Sequence, residues 1–185
     1  MKYQRTIYLV SGAACLLLAV GLILYPILGN ALAEKNKSLV MTEYSRVVEE
    51  MTDTCVAEML AAAEAYNAAL SPISVSADGA YSLTGLTSAQ KQYDEILAVN
   101  ESGIMGQLEI PELDIRLPIY HGTDGSTLEK GVGHLLGSSF PVGGKGTHAV
   151  LTGHSGLSRE KMLTDLEKMK VGDRFFLHVL DRTLA

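Results

Sequence analysis

An uncharged apolar run dominates the beginning of the chain. Residues 7–28 contain no Asp, Glu, Lys or Arg, and their length exceeds the roughly 20 residues that a helix needs to cross a bilayer. Lys2 and Arg5 precede the run, and basic residues beside a membrane span tend to stay in the cytoplasm. The pattern predicts a cytoplasmic segment at residues 1–6, a transmembrane anchor at 7–28 and an extracellular remainder.

A cleaved signal peptide is the alternative interpretation of this run. Ala31-Leu32-Ala33 resembles a signal-peptidase site. The apolar run is longer than the roughly 7 to 15 residues of a typical signal sequence, so an uncleaved anchor is favoured.

Helical periodicity follows the apolar run. Between Glu34 and Leu70 there is no Pro or Gly, and apolar residues recur mostly every three or four positions. This spacing predicts a long N-terminal helix over residues 34–70, which Ser71-Pro72 ends. A loop is predicted at 71–86 and a second helical stretch from Thr87 to about Val99.

The pattern changes to short, alternating apolar runs after Gly103, which is typical of strands. Strands are predicted at 105–110, 113–120, 148–153 and 175–180, with short helices near 126–131 and 159–169. Residues 87–185 are therefore predicted to form a mainly β domain. Because the chain ends a few residues after a strand, an open sheet edge would remain, and we expect the C-terminal part of the domain to be missing.

Composition excludes several classes of function. The net charge of −6 gives no support to nucleic-acid binding. The two cysteines cannot form a disulfide framework, because Cys15 lies in the apolar run. The five histidines show no metal-ligand spacing, so no metal site is predicted. The glycine-rich stretch 131–146 lacks the full phosphate-binding patterns and is interpreted as turns and bulges, so no cofactor is predicted.

One histidine stands at a position suited to chemistry. A buried-looking run, Ala149 to Thr152, leads directly into Gly153-His154-Ser155-Gly156. A histidine at the end of a strand has a rigid base and can act as an acid or a base, although a structural role is the commoner one. Ser155 is not a hydrolase nucleophile, because the glycine spacing of a nucleophile elbow is absent.

The residues around His154 resemble the sortases, and within them the class C, pilus-assembling type. The resemblance covers about residues 60–183 and rests on several blocks in the family's order. These are Ala65-Tyr66-Asn67, Gly106 to Pro111, Leu117 to Gly122, Gly131 to Leu135, Pro141 to Gly144, Leu151 to Leu157, and Lys170 to Asp173.

The resemblance implies a closed eight-stranded β-barrel, incomplete here, behind a transmembrane helix and a long N-terminal helix. It implies a cysteine transpeptidase that cuts a Leu-Pro-x-Thr-Gly sorting signal between Thr and Gly. Class C enzymes then join the acyl product to a lysine amine of a pilin on a Gram-positive surface. His154 matches the family's histidine, a general acid for the departing amine, and no cofactor is implied.

The rest of the family's catalytic set has no counterpart in this sequence. The family's cysteine and arginine follow the histidine, but no cysteine lies beyond position 154, and Arg174 and Arg182 are not in such a block. Neither Cys15 nor Cys55 is assigned as the nucleophile. We therefore expect a fragment with no transpeptidase activity of its own.

A lid is the second feature that the resemblance suggests. Class C enzymes often carry an Asp-Pro-aromatic lid between the long helix and the barrel, and Asp78 and Tyr81 occupy that place without the Pro or the spacing. An ordinary surface loop is the alternative. For the whole chain, the alternatives are a non-enzymatic surface or pilus-accessory protein with a sortase-like barrel, and a sortase that anchors proteins to the wall.

Overall fold

The computed structural model describes residues 2–70, 92–155 and 162–185. Helix α1 spans Lys2–Glu50 and helix α2 spans Asp53–Ala69. The strands are β1 Ile104–Ile110, β2 Ile115–His121, β3 Val132–His134, β4 Leu151–Thr152, β5 Phe176–Val179 and β6 Arg182–Leu184. Short helical turns occur at residues 92–95, Pro111–Leu113, Gly125–Leu128 (α3) and Leu166–Lys168.

The predicted long helix over 34–70 is two helices in the structure. The first continues without interruption from the apolar run to Glu50, although Pro26 lies within it. The second begins at Asp53, and the preceding Thr52 caps it with a side chain that accepts a hydrogen bond from the Cys55 N–H. The Thr-Asp pair at 52–53 is the signal for this break, because both residues favour a helix start.

The six strands form one sheet in the order β4-β3-β2-β1-β5-β6. All neighbouring pairs are antiparallel except β2 and β3, which are parallel. Helix α2 packs on the core through Val56, Leu60 and Ala63. The sheet does not close on itself within the described residues.

The sequence did not predict β3, because its glycines were interpreted as turn residues. A Cβ atom on Gly131 would lie 2.4 Å from the Pro118 carbonyl oxygen, and one on Gly133 would lie 2.3 Å from that of Gly122. The glycines therefore allow β3 to approach β2 closely. The short strand β6 was also missed.

Other element boundaries differ from the prediction. The strand predicted at 113–120 begins two residues later, after a 3₁₀ turn at Pro111–Leu113. The strand predicted at 148–153 is limited to Leu151–Thr152. Of the helix predicted at 159–169, residues 162–168 form turns and one 3₁₀ turn, and residues 156–161 lie outside the described part.

The C-terminal half of α1 is attached to the sheet by specific hydrogen bonds. The buried Tyr44 hydroxyl donates to the Met105 carbonyl at 3.1 Å and accepts from the Leu180 N–H at 2.8 Å. The Gln107 side chain donates to the Met41 carbonyl at 3.2 Å. Helix α1 therefore carries the apolar run in its N-terminal half and is packed on the β domain by its C-terminal half.

Candidate active site

His154 lies two residues beyond β4, at one edge of the sheet. The residue is half-buried, and its carbonyl accepts a hydrogen bond of 3.1 Å from the Leu163 N–H. Within residues 2–70, 92–155 and 162–185, no hydrogen-bond partner of its imidazole is found. The backbone of this candidate acid or base is therefore held in place at the sheet edge.

Two serine hydroxyls hold the segment that leads to His154. Ser138 Oγ accepts from the Val150 N–H, and Ser139 Oγ accepts from the His148 N–H, each at 3.1 Å. The Ser139 N–H donates to the His148 carbonyl at 3.0 Å. The Leu135 N–H also donates to the Val150 carbonyl at 2.9 Å. The N–H groups of residues 148 and 150 are thus bound by side chains and their carbonyls by backbone, which explains why the regular strand is shorter than predicted.

The buried ring of His134 organises these serines. Its Nε2 atom lies 2.8 Å from the Ser139 carbonyl oxygen, which can only accept, so the proton of the neutral ring is on Nε2. Its Nδ1 atom then accepts, and lies 3.0 Å from the Tyr93 hydroxyl. The ring stacks on Phe140 with a centroid distance of 5.1 Å. Burial lowers the pKa of His134 to about 4, so the ring is neutral at neutral pH.

Tyr93 connects this cluster to the neighbouring loop. Its hydroxyl lies 2.8 Å from the His134 carbonyl oxygen and accepts from the Gly122 N–H at 3.0 Å. Burial raises the pKa of Tyr93 well above its usual value.

Asn67, near the end of α2, holds the loop from the other side. Its amide nitrogen donates to the Phe140 carbonyl at 3.1 Å, and its amide oxygen accepts from the Phe140 N–H at 2.7 Å. One side chain thus binds both backbone groups of Phe140, whose carbonyl also accepts from the Val142 N–H at 2.8 Å. Helix α2 is thereby joined to the loop whose serines hold the segment before His154.

The glycine before His154 makes room for a side chain of the following loop. A Cβ atom on Gly153 would lie 3.0 Å from Leu163 Cδ1. Leu163 is also the residue whose N–H donates to the His154 carbonyl. The close approach of Leu163 therefore depends on the absence of a side chain at 153.

The other predicted candidates are distributed as follows. Asp78 and Tyr81 lie outside the described residues. Cys15 is exposed within the apolar part of α1, and Cys55 lies in the first turn of α2. No contact among the described residues joins either cysteine to His154. The described residues contain no group of three His, Cys, Asp or Glu side chains arranged for a metal.

Comparison with known proteins places this geometry in a family. Residues 108–184 match the sortase domain. Sortase C1 from Streptococcus agalactiae is similar in structure, with a TM-score of 0.70 and 32% identity over 78% of this chain and 72% of that protein. The chain belongs to the sortase family. Sortase C from Streptococcus pneumoniae is similar with a TM-score of 0.64 and 35% identity, over 78% of this chain and 70% of that one.

A further relative matches over a shorter region. Sortase D from Bacillus subtilis (strain 168) is 39% identical over 72 residues, which are 39% of this chain and 33% of that protein. The match thus spans only a third of this relative's length. Together, the comparisons confirm the predicted sortase fold behind a long N-terminal helix, with a six-stranded sheet that does not close within the described residues.

Sequence reasoning missed the residues that support His154. It noted Asn67 only as part of a block that resembles class C sortases, and His134 only as one of five histidines and as part of the similar block Gly131 to Leu135. A signal for His134 was present, since its neighbours in sequence are glycines, Leu135 and Leu136, which favour burial. The pairing of Asn67 with Phe140, 73 residues away, had no local signal.

Proposed function

We propose that this chain is part of a membrane-anchored cysteine transpeptidase that cleaves a Leu-Pro-x-Thr-Gly sorting signal and joins the product to a pilin lysine. The observation that carries the proposal is the placement of His154. Its backbone is held at the sheet edge, two residues beyond β4, by the hydrogen bond from the Leu163 N–H. The similarity to sortase C of S. pneumoniae, whose structure has been related to pilin substrate specificity, supports the choice of acceptor.

The proposed reaction exchanges one acyl bond for another. A cysteine thiolate attacks the threonine carbonyl carbon, a C–S bond forms, and the Thr–Gly C–N bond breaks. His154 gives its proton to the departing glycine amine, which otherwise would leave as a poor, negatively charged group. A lysine amine of the next pilin then attacks the thioester, His154 takes up its proton, and an isopeptide bond forms as the thiolate departs.

The thiolate is not assigned to either cysteine of this sequence. Cys15 lies in the apolar run, and Cys55 lies in the first turn of α2. Since this chain covers 72% of sortase C1 from S. agalactiae, we propose that the cysteine and arginine belong to a region outside these 185 residues. The 185 residues alone are expected not to cleave a sorting signal.

The apolar part of α1 supports the proposed location. Between Thr6 and Glu50 the helix contains a window with mean hydropathy 2.5, none of it buried against the domain. This window is long and apolar enough to cross a membrane. With Lys2 and Arg5 on the cytoplasmic side, the β domain would lie outside the cell, on the side where surface proteins are processed.

We propose that Asp78 and Tyr81 belong to a loop that limits access to the cysteine. Deletion of residues 76–83 should then raise the rate at which a small reagent alkylates the complete enzyme's cysteine. Equal rates with and without these residues would reduce the segment to a surface loop.

The acceptor tests the proposed function. A complete enzyme that includes the cysteine block is mixed with a Leu-Pro-x-Thr-Gly peptide and two competing acceptors, a lysine-bearing pilin domain and triglycine. The proposal predicts a product joined mainly to the pilin lysine. A product joined only to triglycine would instead indicate a wall-anchoring sortase, and binding without cleavage would indicate an accessory protein.

A further inference from the structure

A groove lies between α1 and the β domain. It encloses about 950 Å³. Residues 25–40 of α1 form one wall, and Tyr120 of β2 and the end of α3 form the other. The groove is separate from His154, which does not line it.

The two halves of the groove differ in chemistry. Towards the N-terminus of α1 it is lined by Tyr25, Leu28 and Leu32, whose exposed fractions are 61%, 63% and 66%. At the other end, Lys35 of α1 and Lys130 beyond α3 line it, and both are exposed. Lys37 also lines the groove but is buried, with its Nζ atom 3.4 Å from Met162 Sδ, and Glu129 is the acidic residue of the lining. The end of the groove that contains Lys35 and Lys130 is therefore net positive, although the whole chain has a net charge of −6.

The position of the groove along α1 matches the surface of a bilayer. The apolar run 7–28 is about 33 Å long as a helix, close to the roughly 30 Å of a bilayer's hydrocarbon core. Leu28 then lies at the edge of the hydrocarbon, and Lys35 lies about 10 Å further along the helix axis. A lysine at this height reaches the phosphate layer with its flexible side chain.

We propose that this groove binds one anionic phospholipid of the leaflet next to the domain. Its acyl chains lie against Tyr25, Leu28 and Leu32, and its phosphate lies between Lys35 and Lys130. The apolar wall is continuous with the membrane span, and the positive end complements the lipid's charge. The bound lipid would fix the height and tilt of the β domain above the membrane. This inference depends on the proposed membrane anchor but not on the proposed reaction.

The test uses the full chain in lipid nanodiscs that contain phosphatidylcholine and a trace of a photoactivatable lipid. The probe is either phosphatidylglycerol or phosphatidylcholine with the same diazirine-labelled acyl chain. Labelled peptides are mapped by mass spectrometry. Each lysine near an anionic surface contributes a factor of about five, and Glu129 opposes part of this. We expect phosphatidylglycerol to label residues 25–40 and 120–130 about tenfold more than phosphatidylcholine does.

Two paired variants make the result specific. Lys35→Gln with Lys130→Gln should reduce phosphatidylglycerol labelling to the phosphatidylcholine level. Lys145→Gln with Lys170→Gln removes the same charge from exposed positions outside the groove and should leave labelling unchanged. Equal labelling by the two lipids, or equal effects of the two paired variants, would refute the site.

Two further outcomes distinguish a failure of the lipid site from a failure of the proposed membrane anchor. Displacement of the labelled lipid by soluble glycerol phosphate would indicate a phosphate site and overturn the lipid assignment. If the chain fails to remain with the bilayer after carbonate extraction, the anchor proposal fails, and the lipid site fails with it. A chain that remains with the bilayer but shows no lipid preference refutes only the lipid site.

Discussion

Tyr93→Phe removes one hydroxyl from the cluster that holds the segment before His154. Three partners lose a hydrogen bond: the Gly122 N–H at 3.0 Å, the His134 carbonyl at 2.8 Å and His134 Nδ1 at 3.0 Å. The hydroxyl proton is shared between the two His134 atoms, so about two hydrogen bonds are lost. A buried group left without a partner costs about 1 to 3 kcal/mol. We expect the free energy of unfolding to fall by about 3 kcal/mol.

A matched control is present in the same cluster. Tyr66 lies with its ring centroid 6.3 Å from that of Tyr93. Its buried hydroxyl makes no hydrogen bond of normal geometry to the described residues, and the backbone N–H of Gly137 is only a weaker contact that lowers the Tyr66 pKa less than burial raises it. Tyr66→Phe should therefore change the free energy of unfolding by less than about 0.5 kcal/mol. Urea unfolding of both variants, followed by circular dichroism, compares them directly, and equal losses would refute the reasoning.

The pH dependence of stability tests the same cluster. The pKa of His134 is about 4 in the folded protein and about 6.5 in an unfolded chain. Between these values the unfolded chain binds a proton that the folded chain does not, so stability falls as the pH is lowered from 6.5 to 4. From pH 7 to pH 5 the loss due to His134 is about 2 kcal/mol. His134→Gln cannot titrate and should remove that part of the slope, and an unchanged slope would contradict the assignment.

Two further predictions concern residues around the site. Asn67→Ala removes the partner of the Phe140 N–H, while the Phe140 carbonyl keeps the Val142 N–H at 2.8 Å, and should lower the free energy of unfolding by about 1 to 2 kcal/mol in urea unfolding; a loss below about 0.5 kcal/mol would remove Asn67 from this role. Gly153→Ala should displace Leu163 and speed hydrogen exchange of the amide at position 163 about tenfold. Adding Leu163→Ala should restore slow exchange, and no restoration would mean that the contact is not the cause.

The sequence predicted the parts of the fold that have a local signal. The apolar run, the helical periodicity and the alternation at Leu117 and Ile119 all follow from which side chains a single element buries. The resemblance around His154 led to the family, which the comparisons confirm. These features depend on neighbours in sequence, so they can be seen without the structure.

The missed features depend on contacts between distant residues. β3 was missed because Gly131 and Gly133 have no strand propensity, and their role comes from the approach of β2. The hydroxyls of Ser138 and Ser139 take the place of backbone acceptors for the N–H groups of residues 148 and 150. The hydrophobic pattern of the sequence gives no sign of these hydrogen bonds. Likewise, the role of Asn67 exists only because α2 packs beside Phe140.

The central claim is that His154 is the general acid of a sortase reaction, and one variant tests it most directly. In a complete enzyme with its cysteine block, His154→Ala is compared with His148→Ala, an exposed histidine six positions earlier in the same segment. Cleavage of a Leu-Pro-x-Thr-Gly peptide and the unfolding midpoint are measured on each. We expect His154→Ala to lower turnover by about 10² to 10⁴ with an unchanged midpoint, and His148→Ala to leave turnover nearly unchanged. Near-normal turnover in His154→Ala, or a loss fully accounted for by a lower midpoint, would contradict the claim.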